Sequence, residues 1–443
     1  RGISLGILAV PAEAAQEVAE GLVACGIRAI LNYAPIRLSL PAHIHVQDID
    51  PVAVGRWADK QFISYTGHVD LASREEVYGL IAGCIVPSMV VCWAAAGAVR
   101  RWGPRWGLVD RPGHRKIHAA PMPTGGGLAI WLGIVLPLLA GRAALWLLVP
   151  DRTWITLPDF ITPHVPGLLH QSGKLWELLA GGTVLMLLGL IDDRRGLDWR
   201  TRIAAQTIVA TVMVSLGWRM SLFIDAPWLT GIISVLWIVG LINSFNMLDN
   251  MDGLSAGVAA IAAAMLAAMM LMTPRPDNNQ PQLFVAGLLL VIVGALLGFL
   301  WHNRPPARLF MGDAGSYLVG YLLAMTTLTA TFAGGDLPRH AILGPLCVLA
   351  VPLYDTATVV YIRLREGRSP FAGDKSHFSH RLVELGLSKA QAVLTIYLAA
   401  GTCGLGALLL TKIDTVGAII VGLMVVCILS LVAILETVGR RAQ

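Results

Sequence analysis

The stretch Asn243-Ser-Phe-Asn246-Met-Leu-Asp249-Asn250-Met-Asp252-Gly253-Leu-Ser-Ala-Gly257 decides how the rest of the chain is read. Leu229 to Leu241 before it is almost wholly apolar, and Val258 to Met272 after it is apolar again. Two carboxylates and three amides between two membrane-grade segments are costly unless they face water, a metal or a ligand. Asn243, Asn246, Asp249 and Asp252 recur every three residues. On a helix that step turns the stripe about 60° per position, so the four would sweep about half the circumference. They converge on one site only if the helix ends near Asn250 to Gly253, which a turn-prone Asn and a Gly permit. The stretch reads as a helix end opening onto a site at a membrane face.

The surroundings agree. Of 443 residues 56% are hydrophobic and only 14% charged, and the mean hydropathy is +0.67, whereas soluble domains are about a quarter charged. Apolar stretches of about 20 residues recur from Tyr78 onward. The expected fold is an all-α polytopic membrane protein with about eleven transmembrane helices, over 78–99, 125–148, 174–191, 203–218, 229–247, 254–273, 283–301, 314–332, 341–362, 389–411 and 416–436. The six cysteines are scattered without a CxxC, which supports neither a disulfide framework nor a zinc site. The net charge of +5 reports membrane orientation rather than nucleic acid. Arg100, Arg101, Arg105, Arg111, Arg115 and Lys116 crowd one loop, and Arg194, Arg195, Arg200 and Arg202 another. Arg363, Arg365, Arg368, Lys375 and Arg381 crowd a third. The positive-inside rule puts these loops in the cytoplasm.

Residues 1–70 differ. A short apolar run at Ile3–Val10, a helical spacing over Pro11–Cys25, a stop at Gly26 and a second run at Ile27–Leu31 form a βαβ pattern, a short half-Rossmann-like α/β fragment. The wording Val10-Pro-Ala-Glu-Ala-Ala-Gln and Gly26-Ile-Arg-Ala-Ile-Leu-Asn-Tyr-Ala-Pro35 resembles the distal part of the nucleotide-binding domain of the redox-sensing repressor Rex. That family's glycine-rich phosphate turn is absent, so the fragment is expected to be non-functional. Residues 71–77 read as a linker, 78–436 as the membrane domain and 437–443 as a cytoplasmic tail.

Four polar motifs fall on the basic side. The first loop runs from Asp110 through His114, Arg115, Lys116 and His118 to Gly125-Gly126-Gly127, where glycines at a helix start allow close approach of a phosphate. Its bland alternative is a flexible basic loop. Asp192-Asp193 repel unless a cation is near, supplied either by a divalent metal or by Arg194 and Arg195. His302-Asn303 leads to Phe310-Met-Gly312-Asp313-Ala-Gly315-Ser316, where Asp313 is either functional or a plain N-cap. Asp374-Lys-Ser-His377-Phe-Ser379-His380-Arg381 suits a diphosphate better than zinc, since no further soft ligand is near. Together these groups match a Mg²⁺-dependent phosphoryl transfer, dominated by positioning and charge neutralisation. The rival, a polytopic ion-coupled transporter, would place carboxylates deep within helices and show an internal repeat.

Residues 80 to 436 resemble the polyprenyl-phosphate N-acetylhexosamine-1-phosphate transferases, the glycosyltransferase 4 family that includes WecA, TagO and the more distant MraY. The resemblance rests on Asp192-Asp193, the Asn243–Gly253 stretch, Phe310–Ser316 and Asp374–Arg381. It implies transfer of a sugar-1-phosphate, GlcNAc-1-phosphate by expectation, from a UDP-sugar to undecaprenyl or another polyprenyl phosphate, with release of UMP. It implies Asp192, Asp193 and Asp313 as catalytic residues, with Asp313 and Asp192 holding Mg²⁺ or Mn²⁺. His118, Asn246, Asp249, Asp252, Asn303, Phe310, His377, His380 and Arg381 would bind substrate, with Asn303 and Phe310 near the uracil. It further implies a multi-pass bacterial plasma-membrane enzyme with a cytoplasmic active site, lipid around it, a homodimer as a further expectation and no nucleic-acid partner. Two departures stand out: Ser379 replaces the middle histidine of the usual His-Ile-His-His, which bears on sugar preference, and Asn250 stands where Gly is usual.

Overall fold

The structure, a computed structural model, describes all residues except 1–4, 9–11, 28, 33–37, 42–43, 49–70, 111–120, 149–164, 221–222, 274–281, 331, 333–336, 372–375 and 442–443. The chain forms two compact units, Arg1–Val77 and Tyr78–Gln443.

In the first unit β1 (Leu5–Leu8), β2 (Ala29–Asn32) and β3 (His45–Asp48) form a parallel sheet in that order. Leu5 pairs with Ala29, and Ala29 with His45. Helix α1 (Ala12–Ala24) connects β1 to β2. It stops at Gly26, whose φ of 87° suits a residue without Cβ. Ala15, Ala19, Ile27, Ile30 and Ile44 form the unit's small core.

The second unit is helical. Its helices are α2 (Leu71–Trp102, which begins ahead of Tyr78), α3 (Gly126–Leu148), α4 (Val165–Arg195), α5 (Trp199–Ser215), α6 (Pro227–Leu248), α7 (Leu254–Met272), α8 (Leu283–Asn303) and α9 (Gly312–Thr329). After these come α10 (Gly344–Val348), α11 (Ala350–Arg365), α12 (Phe378–Glu384), α13 (Lys389–Leu409) and α14 (Thr415–Arg441). Residues 71–77, expected as a linker, are helical, and helix persists to Arg441 in the expected tail.

Among the described residues eight helices are long and apolar enough to cross a membrane. The pair Arg339–Val348 and Ala350–Arg365, bent by 66°, makes a ninth. Against the eleven expected, the difference lies in α5 and α9, the helical counterparts of segments 203–218 and 314–332. Helix α5 has 17 residues, and α9 has 18 that include Asp313, Ser316 and five threonines or tyrosines that dilute its hydropathy.

Helix α9 is nevertheless the centre of the bundle, buried from Ala314 to Leu328 and packed chiefly on α4 and α6. Its neighbours approach at glycines. A Cβ on Gly189 of α4 would lie 2.4 Å from the Ala314 Cα, one on Gly127 of α3 2.2 Å from the Gly315 nitrogen, and one on α9's Gly320 2.7 Å from the Ile242 Cα in α6. Lipid provides no hydrophobic drive between helices, so such small-residue seams and their dispersion contacts hold a membrane bundle together. Within it Thr326 and Thr327 donate to carbonyls one turn back, and Trp237 donates to Thr327 at 2.9 Å. The seams matter for chemistry because they fix the ends of α3, α4 and α6 against the start of α9.

Candidate active site

The start of α9 is built on Gly312, whose φ of 70° favours glycine. There is no space for a side chain either, since an added Cβ would lie 2.5 Å from a carboxylate oxygen of Asp193. Asp193 arrives on the last turn of α4 and accepts the Asp313 amide at 2.9 Å and the Ala314 amide at 3.3 Å. A carboxylate on a helix N-terminus satisfies orphan amides and the dipole together. The cap of α9 therefore comes from Asp193 on another helix. Met311 at the N-cap position makes no side-chain cap, and Asp313 in the first turn is not the cap its position allowed.

That leaves the Asp313 carboxylate for other work. Asn246, on the last turn of α6, donates to its Oδ1 at 2.5 Å and also contacts the Ser316 hydroxyl at 3.0 Å. Asp192 faces the same carboxylate. Asp192 is buried, 5% exposed, and its oxygens are engaged: Oδ1 accepts the Leu197 amide at 2.7 Å, and Oδ2 accepts the Tyr317 hydroxyl at 2.7 Å and lies 3.4 Å from the Arg202 guanidinium. Arg202 thus neutralises Asp192, the role for which the sequence offers Arg194 and Arg195.

Helix α6 ends at Leu248, as its sequence required. Asp249 caps it and accepts the Gly312 amide. Burial pushes the Asp249 carboxyl up to about 7, and the charges of Asp313 and Asp252 push the same way. Four carboxylates, at 192, 193, 249 and 313, meet here, and the Arg202 guanidinium is ion-paired to Asp192. Among the described residues no three His, Cys, Asp or Glu side chains enclose a metal by themselves. The donor set therefore fits an ion that takes one or two carboxylates from the protein and the rest from phosphate and water, the usual habit of Mg²⁺.

A second group braces the loop between α6 and α7. Asp252 accepts the Ala307 amide at 2.9 Å. Asn303, 3% exposed, accepts the Gly253 amide at 3.0 Å and donates to the Leu309 carbonyl at 2.9 Å. Its amide is bonded to backbone on both sides and so braces the loop between α6 and α7. Phe310 is half-buried, its backbone bonded to Pro123 and Gly126.

The third group lies at the start of α12. His377 and Arg381 are buried and His380 is half-buried, the two imidazoles 6.4 Å apart. Arg381 donates to Thr358 at 3.2 Å. Ser379 donates to the Asn250 side chain at 2.5 Å, so the two departures from the usual motifs bond to each other. His118, Asp374 and Lys375 lie outside the described residues.

One expectation is corrected. Gly126 and Gly127 do not line an open phosphate cradle, because their amides donate to the Phe310 and Met311 carbonyls at 2.9 and 3.1 Å and their Cα atoms pack on α8 and α9. Sequence reasoning also missed Arg202, read only as topology, and Tyr317, read as apolar helix. It missed Asp355, whose signal was a lone carboxylate within an apolar segment.

Except for Asp355, these polar groups sit at helix ends or in the loops joining them, not along a midmembrane path as a transporter would need. The profile described as glycosyl transferase family 4 matches residues 175–331, which contain the first two groups of the site. A probable undecaprenyl-phosphate N-acetylglucosaminyl 1-phosphate transferase of Bacillus subtilis is 30% identical over 344 residues, 76% of this chain and 86% of the relative. A decaprenyl-phosphate N-acetylglucosaminephosphotransferase of Mycolicibacterium smegmatis is 34% identical over 339 residues, 72% of this chain and 79% of the relative. An undecaprenyl-phosphate alpha-N-acetylglucosaminyl 1-phosphate transferase of Escherichia coli K12 is 28% identical over 314 residues, 68% of this chain and 76% of the relative. The chain belongs to the glycosyl transferase family 4 of membrane phospho-sugar transferases.

Proposed function

We propose that this protein transfers GlcNAc-1-phosphate from UDP-GlcNAc to a polyprenyl phosphate, releasing UMP, as the first membrane step of a cell-envelope polysaccharide. The observation that carries the chemistry is the meeting of Asp192, Asp193, Asp249 and Asp313 at one set of helix ends, in a chain of this family. An oxygen of the lipid phosphate forms a bond to the sugar-bearing phosphorus, and the bond from that phosphorus to the UMP oxygen breaks. Asp313, oriented by Asn246, and Asp192, held by Tyr317 and Arg202, would bind Mg²⁺, which when bound supplies charge neutralisation at the diphosphate. Asp193 fixes the start of α9 and thereby the position of Asp313. His377, His380 and Arg381 would hold the donor's phosphates.

The rest of the assignment follows from the same site. With α5 and α9 included there would be eleven crossings, and the positive-inside rule would then have the basic loops and the site on the cytoplasmic side of a bacterial plasma membrane. Donor and lipid acceptor would then meet at the membrane face, where one is soluble and the other embedded.

The test is a transfer assay on membranes carrying the full chain. They receive undecaprenyl phosphate, Mg²⁺ and radiolabelled UDP-GlcNAc or other UDP-sugars, with and without EDTA. Label moves to lipid from UDP-GlcNAc and EDTA stops it. Label from no donor would sink the transferase assignment. Label unaffected by EDTA would sink the metal.

A further inference from the structure

Asp355 differs from the carboxylates above. It lies in the second turn of α11 and is fully buried, a costly place for a carboxylate unless it is hydrogen-bonded and paired. Both its partners come from the residues that open α12. Its Oδ1 accepts the Phe378 amide at 2.7 Å, and its Oδ2 lies 2.9 Å from His377 Nδ1. An ionised carboxylate only accepts, so Nδ1 carries the proton. The other ring nitrogen, Nε2, meets no hydrogen-bonding group among the described residues, and the side chain keeps 8% exposure. Among the described residues the imidazole is thus clamped on one nitrogen and without a partner on the other, the arrangement by which an acidic neighbour sets a histidine's tautomer and direction.

We propose that Asp355 is a positioning residue of the transferase: it holds a proton on Nδ1 of His377 and so presents Nε2 to a phosphate oxygen of the donor. This rests on the assignment of His377 to the donor's phosphates. The same carboxylate fixes the Phe378 amide, so ring and backbone of this segment are oriented by one buried anion.

Asp355→Asn is the informative variant. Its amide oxygen still accepts from Phe378, while its NH₂ group turns toward Nδ1 and drives the proton to Nε2. Transfer should fall by about 10- to 100-fold, with membrane level and thermal midpoint near wild type. Because Asp355 acts through His377, Asp355→Asn combined with His377→Ala should be no slower than His377→Ala alone. Wild-type activity in Asp355→Asn, or losses that multiply in the double variant, would overturn the role. If the variant does not accumulate, ¹⁵N-histidine spectra of the wild-type protein, assigned with His377→Gln, decide instead. A protonated Nδ1 on His377 upholds the proposal, and a bare Nδ1 overturns it. Failure of the wild type with every UDP-sugar would count against the transferase assignment, while the spectra would still report what Asp355 does to His377.

Discussion

Asp192 and Asp193 are neighbours in sequence and divide their work by direction. Asp193 points at backbone amides and caps α9, whereas Asp192 points at Tyr317, Arg202 and the Asp313 carboxylate. Asp313→Ala and Asp192→Asn should therefore each abolish transfer while the protein remains in the membrane. Near-normal turnover of both in the radiolabel assay would remove the metal-and-carboxylate assignment. Gly312→Ala attacks the same point through the backbone. The left-handed conformation costs a residue with Cβ about 1–2 kcal/mol, and the Asp193 oxygen 2.5 Å from the new carbon adds to it. A lowered thermal midpoint with loss of transfer is the expected outcome, and an unchanged midpoint would show that the turn relaxes.

At the scale of elements, the site exists because helices meet closely at their ends. Gly189 is one turn before Asp193 on α4 and touches the α9 backbone at Ala314. Gly189→Ala should separate the two helices and displace Asp192 and Asp193 together. A misplacement near 1 Å can cost about 10²-fold in rate, so turnover should drop by that order even where the protein still inserts. The Ser379–Asn250 hydrogen bond joins α12 to the loop after α6. Ser379→Ala and Asn250→Ala, singly and together, should give a coupling of about 0.5–3 kcal/mol in thermal stability. Ser379 is buried at 1% exposure, so exchanging it should leave the ranking of UDP-sugars unchanged. A changed ranking would place this residue at the sugar after all.

For the whole molecule, the carboxylate cluster is a reservoir of unfavourable charge that the proposed cation would relieve. Mg²⁺ at 100 times its dissociation constant should stabilise the solubilised protein by about 2.7 kcal/mol. The gain is read as a rise in thermal midpoint over an EDTA control and should vanish in Asp313→Ala. No rise in the wild type would mean that the ion binds only with the donor's phosphates.

The helical membrane class, most segment positions and the polar motifs were legible in the sequence, because apolar length and charge placement are local properties. The break at Asp249–Gly253 was legible for the same reason: a polar stripe stepping every three residues needs a helix end. Partnership was not legible. The cap of α9 comes from a residue 120 positions earlier in the chain, and Arg202, Tyr317 and Asp355 find their partners only across helix seams. Gly126 and Gly127 looked like a phosphate loop, since glycine permits close approach without naming what approaches, and the fold brings the backbone of α9 there. The sequence by itself determined which chemical groups line the membrane face. Only the tertiary structure decided which carboxylate caps a helix and which is left to face its neighbours, because hydrogen bonds are directional and helix ends 50 to 120 residues apart must first be packed together.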